Sequence, residues 1–503
     1  MTPTTWLPRP VLDLMPLLSQ GPRLWLVGGA VRDALLGRPV IDLDFVVDGD
    51  TLALARRLAD HLGAAYYPLD RERGTARLLQ RNPSRTLDFA SLRAPDIEAD
   101  LRGRDFTLNA MAVAGDDLDR LLDPTGGLQD LKDKVLRACS PHAVADDPVR
   151  ALRAVRLAAQ FDFHIEPGTL RQVAQAAGLL SAISAERLRD EFVRMLDAPR
   201  PGKALRLMDH LGLLEKLCPE VAGLRGLIQP PPHALDAWTH TLATADRLGD
   251  LLAVLGPVYD EEASADLILG QAVLRLGRFR KHLGEHFNQS LAQGRRVRSL
   301  LFFAALYHDV GKVSTRQVEP DGRIRFLGHE RVGARLAAER ARSLHLSNAE
   351  AERLSDIVKH HMRLVWLEAG PAVTSRAVYR FFRQVGEAGV DVVLLSLADF
   401  LATHTPPPPQ QNWSRRLDLA RTLLEAYFEG PREAIQPRAL IRGDELASAL
   451  ALEPGPTIGW LLECIREAQA SGEVVTREQA IEAARTALHA RASGEDRAEG
   501  EAD

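Results

Sequence analysis

At 503 residues the chain is too long for one compact core and is read as two to four domains, with the 46% hydrophobic and 26% charged shares of an ordinary soluble globular protein. A formal net charge of -5 carries no whole-chain signature of nucleic-acid binding, so any such function must rest on local patches. Three scattered cysteines, Cys139, Cys218 and Cys464, argue against a disulfide framework or a thiolate zinc site, and with no long uncharged apolar run they predict a cytoplasmic protein outside the membrane.

The N-terminal MTPTTWLPRPVLDLMPLLSQ lacks a positive leader followed by an apolar run, so no signal peptide is expected. From about Arg23 to Val113, β-type runs (RLWLV, DLDFVV, TARLLQ, TLDFASL) alternate with helical patterns (VRDALL, TLALARRLADHLG). In a strand, residues two apart share a face, so Asp42 and Asp44 project together, roughly 7 Å apart at about 3.3 Å per residue. Paired carboxylates repel unless a cation lies between them, and hard oxygen ligands suit Mg²⁺. Just before them, Gly28-Gly29 forms a turn whose backbone N–H groups can approach a phosphate at a helix start, with Arg32 reinforcing that contact and Asp33 buttressing it. From about Asp146 onward nearly everything reads as helix, the strongest boundary in the chain. There Asp147 and Arg150, three apart, are expected as neighbours on one helix face, an acceptor beside a fork of donors. By itself that pair reads first as a surface salt bridge.

GGAVRDALLG followed by DLD resembles the signature of the nucleotidyltransferases that add CCA to tRNA, in the group that also holds bacterial poly(A) polymerases. DLRGRDFTLNAMAV, LLDPTGGLQDL, DDPVRALRAVRLAAQF and ERLRDEF are similar to the family's four later motifs, in order. Gly103 stands where the second motif usually has an arginine, and Asp146 where the fourth generally has Glu. The resemblance implies an α+β fold: a small N-terminal mixed-sheet head, then a largely all-α remainder. It implies two Mg²⁺ ions on Asp42 and Asp44, with Asp88 as a third catalytic carboxylate. Arg104 would balance triphosphate charge, and Asp105 with Asn109 would contact the sugar. Asp123, Gly126 and Gly127 fall at a hinge. Asp147 and Arg150 would select CTP and ATP by the amino group and ring nitrogen that cytosine and adenine share, with Arg153 and Arg156 also at the nucleotide. The fifth motif's acid–arginine contacts brace the helix that carries the fourth.

Farther on, His240, His308-Asp309 in YHDVGK, His329, His361 and Asp399 collect imidazole and carboxylate ligands from several helices, a donor set for a transition metal or Mg²⁺. Their order resembles the HD phosphohydrolase superfamily, which implies a second divalent metal and a hydrolytic activity or a helical support for RNA. His360 competes with His361 for one position, and His233 stands close behind. The basic runs RLGRFRKHLGEH and GRRVRS read either as an RNA-facing patch or as solvated helix faces.

The expected organisation is a catalytic head at 1–140, a helical neck for base selection and RNA at 141–225, an HD-type domain at 226–404, a helical tail at 405–488 and a disordered acidic end at 489–503. The expected partners are tRNA or another RNA 3′ end, CTP and ATP. The leading expectation is CCA addition or repair. Addition of CC only, of A only, or of poly(A) stands beside it, because the family's discriminating loop falls on SLRAPDIEADLRGRD, which is short here. More distant alternatives are an HD phosphohydrolase with an inactive head and an RNA-binding regulator without chemistry.

Overall fold

The run RLWLV forms strand β1 (Arg23–Val27), whose inner residues are buried on both faces. It sits inside a seven-stranded sheet with β2 (Asp42–Asp48), β3 (Ala65–Asp70), β4 (Thr75–Arg81), β5 (Ser84–Ser91), β6 (Ala112–Ala114) and β7 (Leu121–Leu122). The strand order is β3-β4-β5-β2-β1-β6-β7, and β2 with β5 is its parallel pair. The computed structural model describes residues 6–18, 21–81, 84–257, 261–292, 294–369, 373–404 and 408–493. Strand β3 was not anticipated. It is an exposed edge strand carrying Pro68, where the period-2 signal is weak and proline is tolerated.

Alternation in β2 decides where the chemistry can lie. Leu43, Phe45 and Val47 point into the larger core with helices α1 (Gly29–Leu35) and α2 (Thr51–Leu62). Asp42, Asp44 and Val46 take the other face, where a smaller cluster including Val46 and α3 (Ile97–Arg102) gives only partial cover. Helix α2 is set by its Asp50 N-cap, which accepts from Ala53 N at 2.9 Å, and by Gly63 at φ 61° past its end.

Two compact units result: Met1–Phe192 with Leu207–Leu217, and Val193–Arg206 with Cys218–Asp503. The expected neck is thus divided. In the first unit, α4 (Gly127–Lys132), α5 (Ala143–Asp146) and α6 (Val149–Phe161) join the sheet domain, and ERLRDEF lies on α7 (Ala185–Leu196). The short parallel pairing of Val135–Leu136 with His164–Ile165 ties the two segments together.

The second unit is helical, as expected. Helices α8 (Ala237–Leu255), α9 (Val297–Tyr307), α10 (His329–Ser343), α11 (Asn348–His360) and α12 (Gly389–Thr403) pack on one another. Helix α11 begins with a Ser347–Glu350 capping box. The tail segment forms α13 (Gly443–Leu450), α14 (Pro456–Ala470) and α15 (Arg477–Ser493) around a core of its own. Of the expected disordered acidic end (489–503), residues 489–493 instead continue α15 as helix, while 494–503 and part of the proline spacer (405–407) lie outside the described residues. No helix among the described residues is long and apolar enough to cross a membrane.

Candidate active site and metal centre

The parallel register of β2 and β5 places Asp44 directly beside Asp88, with Asp42 two residues away on the same face. Arg77, opposite Asp88 on β4, grips that carboxylate through Nε and Nη2, both at 2.7 Å. Arg77 was not anticipated; its place as the cross-strand partner of Asp88 is visible only once the register is known. Burial, then the negative charges of Asp88 and Asp42, push the Asp44 carboxyl up to about 6. Such a crowded acid cluster fits the hard-ligand set that a divalent cation would neutralise.

Strand β1 ends at Val27, opposite Asp44, so Gly28 follows directly at the cluster. Its φ of 70° is in the left-handed region, and a Cβ there would lie 3.3 Å from Arg104 Nη1 and 3.7 Å from Asp44 Oδ2. Arg104, anchored on Asp100 through Nε and Nη2 at 3.3 and 3.2 Å, keeps Nη1 beside the acids.

Several residues expected at the nucleotide have other work. Arg32 is 9% exposed; its guanidinium donates to both Asp33 oxygens and to Asn109 Oδ1 at 2.6 Å, and stacks on Phe161. Its buttress from Asp33 is as expected, and these bonds direct Nε and one N–H of each terminal nitrogen inside the protein. Asp105 is 8% exposed and accepts from Phe106 N, Asn109 Nδ2 and Arg153 Nη1, at 2.7, 3.2 and 2.8 Å. Although burial works the other way, Arg153 holds Asp105 below the usual carboxylate range. Asp105 therefore links elements, while Asn109 is half-buried. Arg153 Nε and Arg156 Nε donate to the two oxygens of buried Glu191 on α7, at 3.1 and 2.8 Å. This is the expected brace between α6 and α7, and it engages the Nε of both arginines. The Asp123 turn caps helix α4. Asp123 accepts from Gly127 N and Leu128 N, and a Cβ on Gly127 would meet Thr107 O at 2.1 Å.

Asp147 is not on a helix with Arg150. Its φ of -148° and ψ of 92° are extended, in the break between α5 and α6 where Pro148 forms the N-cap. The two side chains still face each other, with Arg150 Nε 3.9 Å from Asp147 Oδ2. Arg187, unanticipated, donates to that Oδ2 at 2.7 Å, and Arg150 Nη1 donates to Ala143 O at 3.0 Å. Asp147 Oδ1 and Arg150 Nε remain buried without hydrogen-bond partners. An unsatisfied acceptor and an unsatisfied donor on these two facing side chains are complementary to a planar group that offers a donor beside an acceptor.

In the second unit, all six expected ligands converge from five helices. His240 Nε2 lies 2.9 Å from Asp399 Oδ1 and 3.4 Å from His308 Nε2. Asp309 Oδ2 is 3.3 Å from His308 Nε2 and 3.7 Å from His240 Nε2. Asp309 Oδ1 is 3.5 Å from His329 Nε2 and 4.0 Å from His361 Nε2. His361 takes the position for which His360 competed, and His233 packs edge-on against His240. Lys312 Nζ, an unanticipated member one helical turn past Asp309, donates to Asp309 Oδ2 at 2.7 Å and to Gln229 Oε1 at 2.6 Å. A cavity of about 570 Å³ opens on Asp309, His329 and Asp399, walled by Phe326, Trp366 and Phe400. This mixed imidazole–carboxylate set fits a divalent metal.

Several arginines of the basic runs are paired with acids of neighbouring elements. Arg275 pairs with Asp418, Arg278 with Glu425 and Glu429, and Arg295 with buried Glu350, while Arg298 donates to Ala198 O. These arginines join helices.

Three family models match: "Poly A polymerase head domain" over residues 24–137, "Probable RNA and SrmB- binding site of polymerase A" over 162–224, and "HD domain" over 238–403. The chain is 36% identical over 471 residues to the A-adding tRNA nucleotidyltransferase of Deinococcus radiodurans, covering 92% of this chain and 95% of that protein. It is 34% identical over 457 residues to the CC-adding tRNA nucleotidyltransferase of Geobacter sulfurreducens, covering 91% and 90%. Its fold is similar to that of the Thermotoga maritima CCA-adding enzyme solved in complex with tRNA, with a TM-score of 0.59 at 22% identity, over 97% of this chain and 98% of that one.

Proposed function

The chain belongs to the tRNA nucleotidyltransferase family, and from that premise we propose that it extends the tRNA 3′ end with CMP and AMP from CTP and ATP, without a template. The observation that carries the reading is the Asp42–Asp44–Asp88 face beside Gly28 in the same unit as the unpartnered Asp147–Arg150 edge.

Asp42 and Asp44, with Asp88, would hold Mg²⁺. When bound, the ions supply activation of the RNA 3′-hydroxyl and charge neutralisation at the α-phosphate and departing pyrophosphate. The protein's own residues do the rest. Gly28 leaves room for phosphate oxygens where any side chain would crowd Arg104 and Asp44, and Arg104 offers Nη1 to them. Asp147 Oδ1 accepts the exocyclic amino group of cytosine or adenine, and Arg150 Nε donates to the adjacent ring nitrogen. Uracil and guanine present a carbonyl where the amino group belongs, so an acceptor would face an acceptor. Arg32, Asn109, Asp105, Arg153 and Glu191 form a continuous hydrogen-bonded chain that positions the base-reading helix relative to the acid-bearing sheet.

Addition of CC alone is a second reading. The segment from β5 to α3 is only Leu92–Asp96, at the place where the resembling family carries its discriminating loop. Incubation with tRNA ending at the discriminator base, at CC and at CCA, supplying CTP and ATP singly and together, separates the readings. C, C and A followed by a stop supports the first; arrest after CC supports the second. A added only to tRNA ending in CC, or long A tracts, supports the A-adding or poly(A) relative. Incorporation unchanged in Asp42→Ala/Asp44→Ala would sink the catalytic assignment. The HD cluster, with its adjoining cavity, is proposed to hold a divalent metal that activates water for phosphate-ester hydrolysis.

A further inference from the structure

The sheet of the first unit carries its acids on one face, and that face is covered only in part. Trp25, Val27 and Val46, on β1 and β2, pack there with Ile97 and Leu101 of α3. The register carries the acid row onward across the remaining strands. Asp44 stands beside Asp88, Asp88 beside Arg77, and Arg77 beside Tyr67 on edge strand β3. Directly opposed residues share a face, so Tyr67 projects from the acids' side of the sheet. A second row runs next to it through Asp42, Thr86, Leu79 and Ala65. The residues that alternate with these on β4 and β5, among them Ala76, Leu78, Leu87 and Phe89, are buried in the core on the other face.

Toward the edge this face is open. Tyr67 is 48% exposed and Leu79 39%. Tyr66 turns the other way, packs against the core and lies under the Arg56 guanidinium. The Tyr67 ring has no aromatic or side-chain hydrogen-bond partner among the described residues. Arg77 spends Nε and Nη2 on Asp88, which leaves Nη1 for another acceptor. Arg81, two positions past Leu79 on the same strand, is exposed and has no ion-pair partner among the described residues. An exposed ring and an aliphatic side chain set among arginines suit single-stranded nucleic acid, whose bases stack on rings and whose phosphates take guanidinium donors. A protein strand adding to the β3 edge is opposed by Pro68 and by the irregular register that follows it.

The acids divide the sheet. On the β1 side stand Gly28 and Arg104, read above as the place of the triphosphate. In-line transfer puts the attacking and departing oxygens on opposite sides of the phosphorus, so the attacking strand arrives from the β5 side. At about 4.8 Å between neighbouring strands, Tyr67 on β3 lies about 14 Å from Asp44. At about 3.4 Å per stacked nucleotide that distance falls within the last few nucleotides of a strand whose 3′-hydroxyl is at the acids. We propose that the open face of β5, β4 and β3 is the platform for the RNA 3′ strand. Tyr67 stacks one of the bases behind the terminal nucleotide, Leu79 lies under the strand, and Arg77 Nη1 and Arg81 take its phosphates. The inference rests on the reading of the acid face as a nucleotidyltransferase centre, and assigns the side from which its RNA substrate enters.

The test uses the full-length protein and whichever tRNA end the parent extends. Initial rates are measured with tRNA varied at saturating nucleotide, and then with nucleotide varied at saturating tRNA. Tyr67→Ala and Tyr67→Leu are expected to raise KM for tRNA about tenfold and to leave KM for the nucleotide within about twofold, while Tyr67→Phe, which keeps the ring, matches the parent. Arg81→Ala is expected to flatten the dependence of log KM for tRNA on log salt by about 0.7, one phosphate contact to a single strand. Circular-dichroism melting curves report that each variant is folded. A KM for tRNA that is unmoved in both Tyr67 truncations overturns the platform and leaves the nucleotidyltransferase reading standing. So does a rise in KM for the nucleotide alone. A dimer of the parent that Tyr67→Ala dissociates, with KM for tRNA unmoved, gives the face to a second copy of the chain instead. No incorporation by the parent overturns both readings.

Discussion

Asp44 ties protonation to metal use. Its carboxyl ionises near 6 in the folded protein against an ordinary value of 3.8, because of burial and of Asp88 and Asp42 beside it. A raised carboxyl favours the folded state at low pH, and that contribution is lost as pH rises from 3.8 through about 6. Protons and Mg²⁺ therefore compete for the same oxygen. Nucleotide addition is expected to fall as pH drops through about 6, and raising Mg²⁺ should move that limb to lower pH; rate profiles at two Mg²⁺ concentrations check it. A limb that ignores Mg²⁺ would contradict the assignment. At the base-reading edge, Arg187 orients Asp147. Arg187→Ala is expected to raise KM for CTP and ATP together about five- to tenfold, the loss of one partly exposed charged hydrogen bond. The pairing of Asp147 with Arg150 was legible as spacing, yet its geometry was not, since Pro148 puts Asp147 outside the helix.

At the scale of elements, close backbone approaches hold both sites. A Cβ on Gly311 would come within 2.0 Å of His329 O and 2.8 Å of Gly333 N, so the segment after His308-Asp309 touches helix α10 directly. Gly311→Ala should push His329 outward and weaken manganese binding at least tenfold by titration, while nucleotide addition stays near the parent level. The brace between α6 and α7 carries stability as well as position. Glu191 is 3% exposed and is the acceptor for two arginines. Glu191→Ala leaves them without that carboxylate, and a loss of about 3 kcal/mol is expected, measured as a lower urea midpoint of the first unit's transition. Most helices and strands were legible from periodicity. The exposed strand β3 was not, nor was the use of the basic runs, because a run of arginines looks the same in sequence whether it faces RNA or the acids of adjacent helices.

For the whole molecule, the two sites fall in separate compact units and are expected to fail separately. Asp42→Asn should abolish nucleotide addition while manganese binding at the HD cluster persists. Asp309→Asn should do the reverse, and Mn²⁺ should raise the melting temperature of the parent but not of Asp309→Asn. Loss of nucleotide addition in folded Asp309→Asn would show that the units do not work independently. Sequence by itself determined the α+β head and helical remainder, the five motifs and the six HD-type ligands. The elements follow from periodicity, and the motifs and ligand set from the resemblance that their residues carry to known families. Only the tertiary structure decided which charged groups are free to act. Arg32, Arg153 and Arg156 proved committed to internal partners, whereas Asp147 Oδ1 and Arg150 Nε proved unspent. Whether a polar atom is satisfied depends on partners brought near by folding, and no local pattern records them.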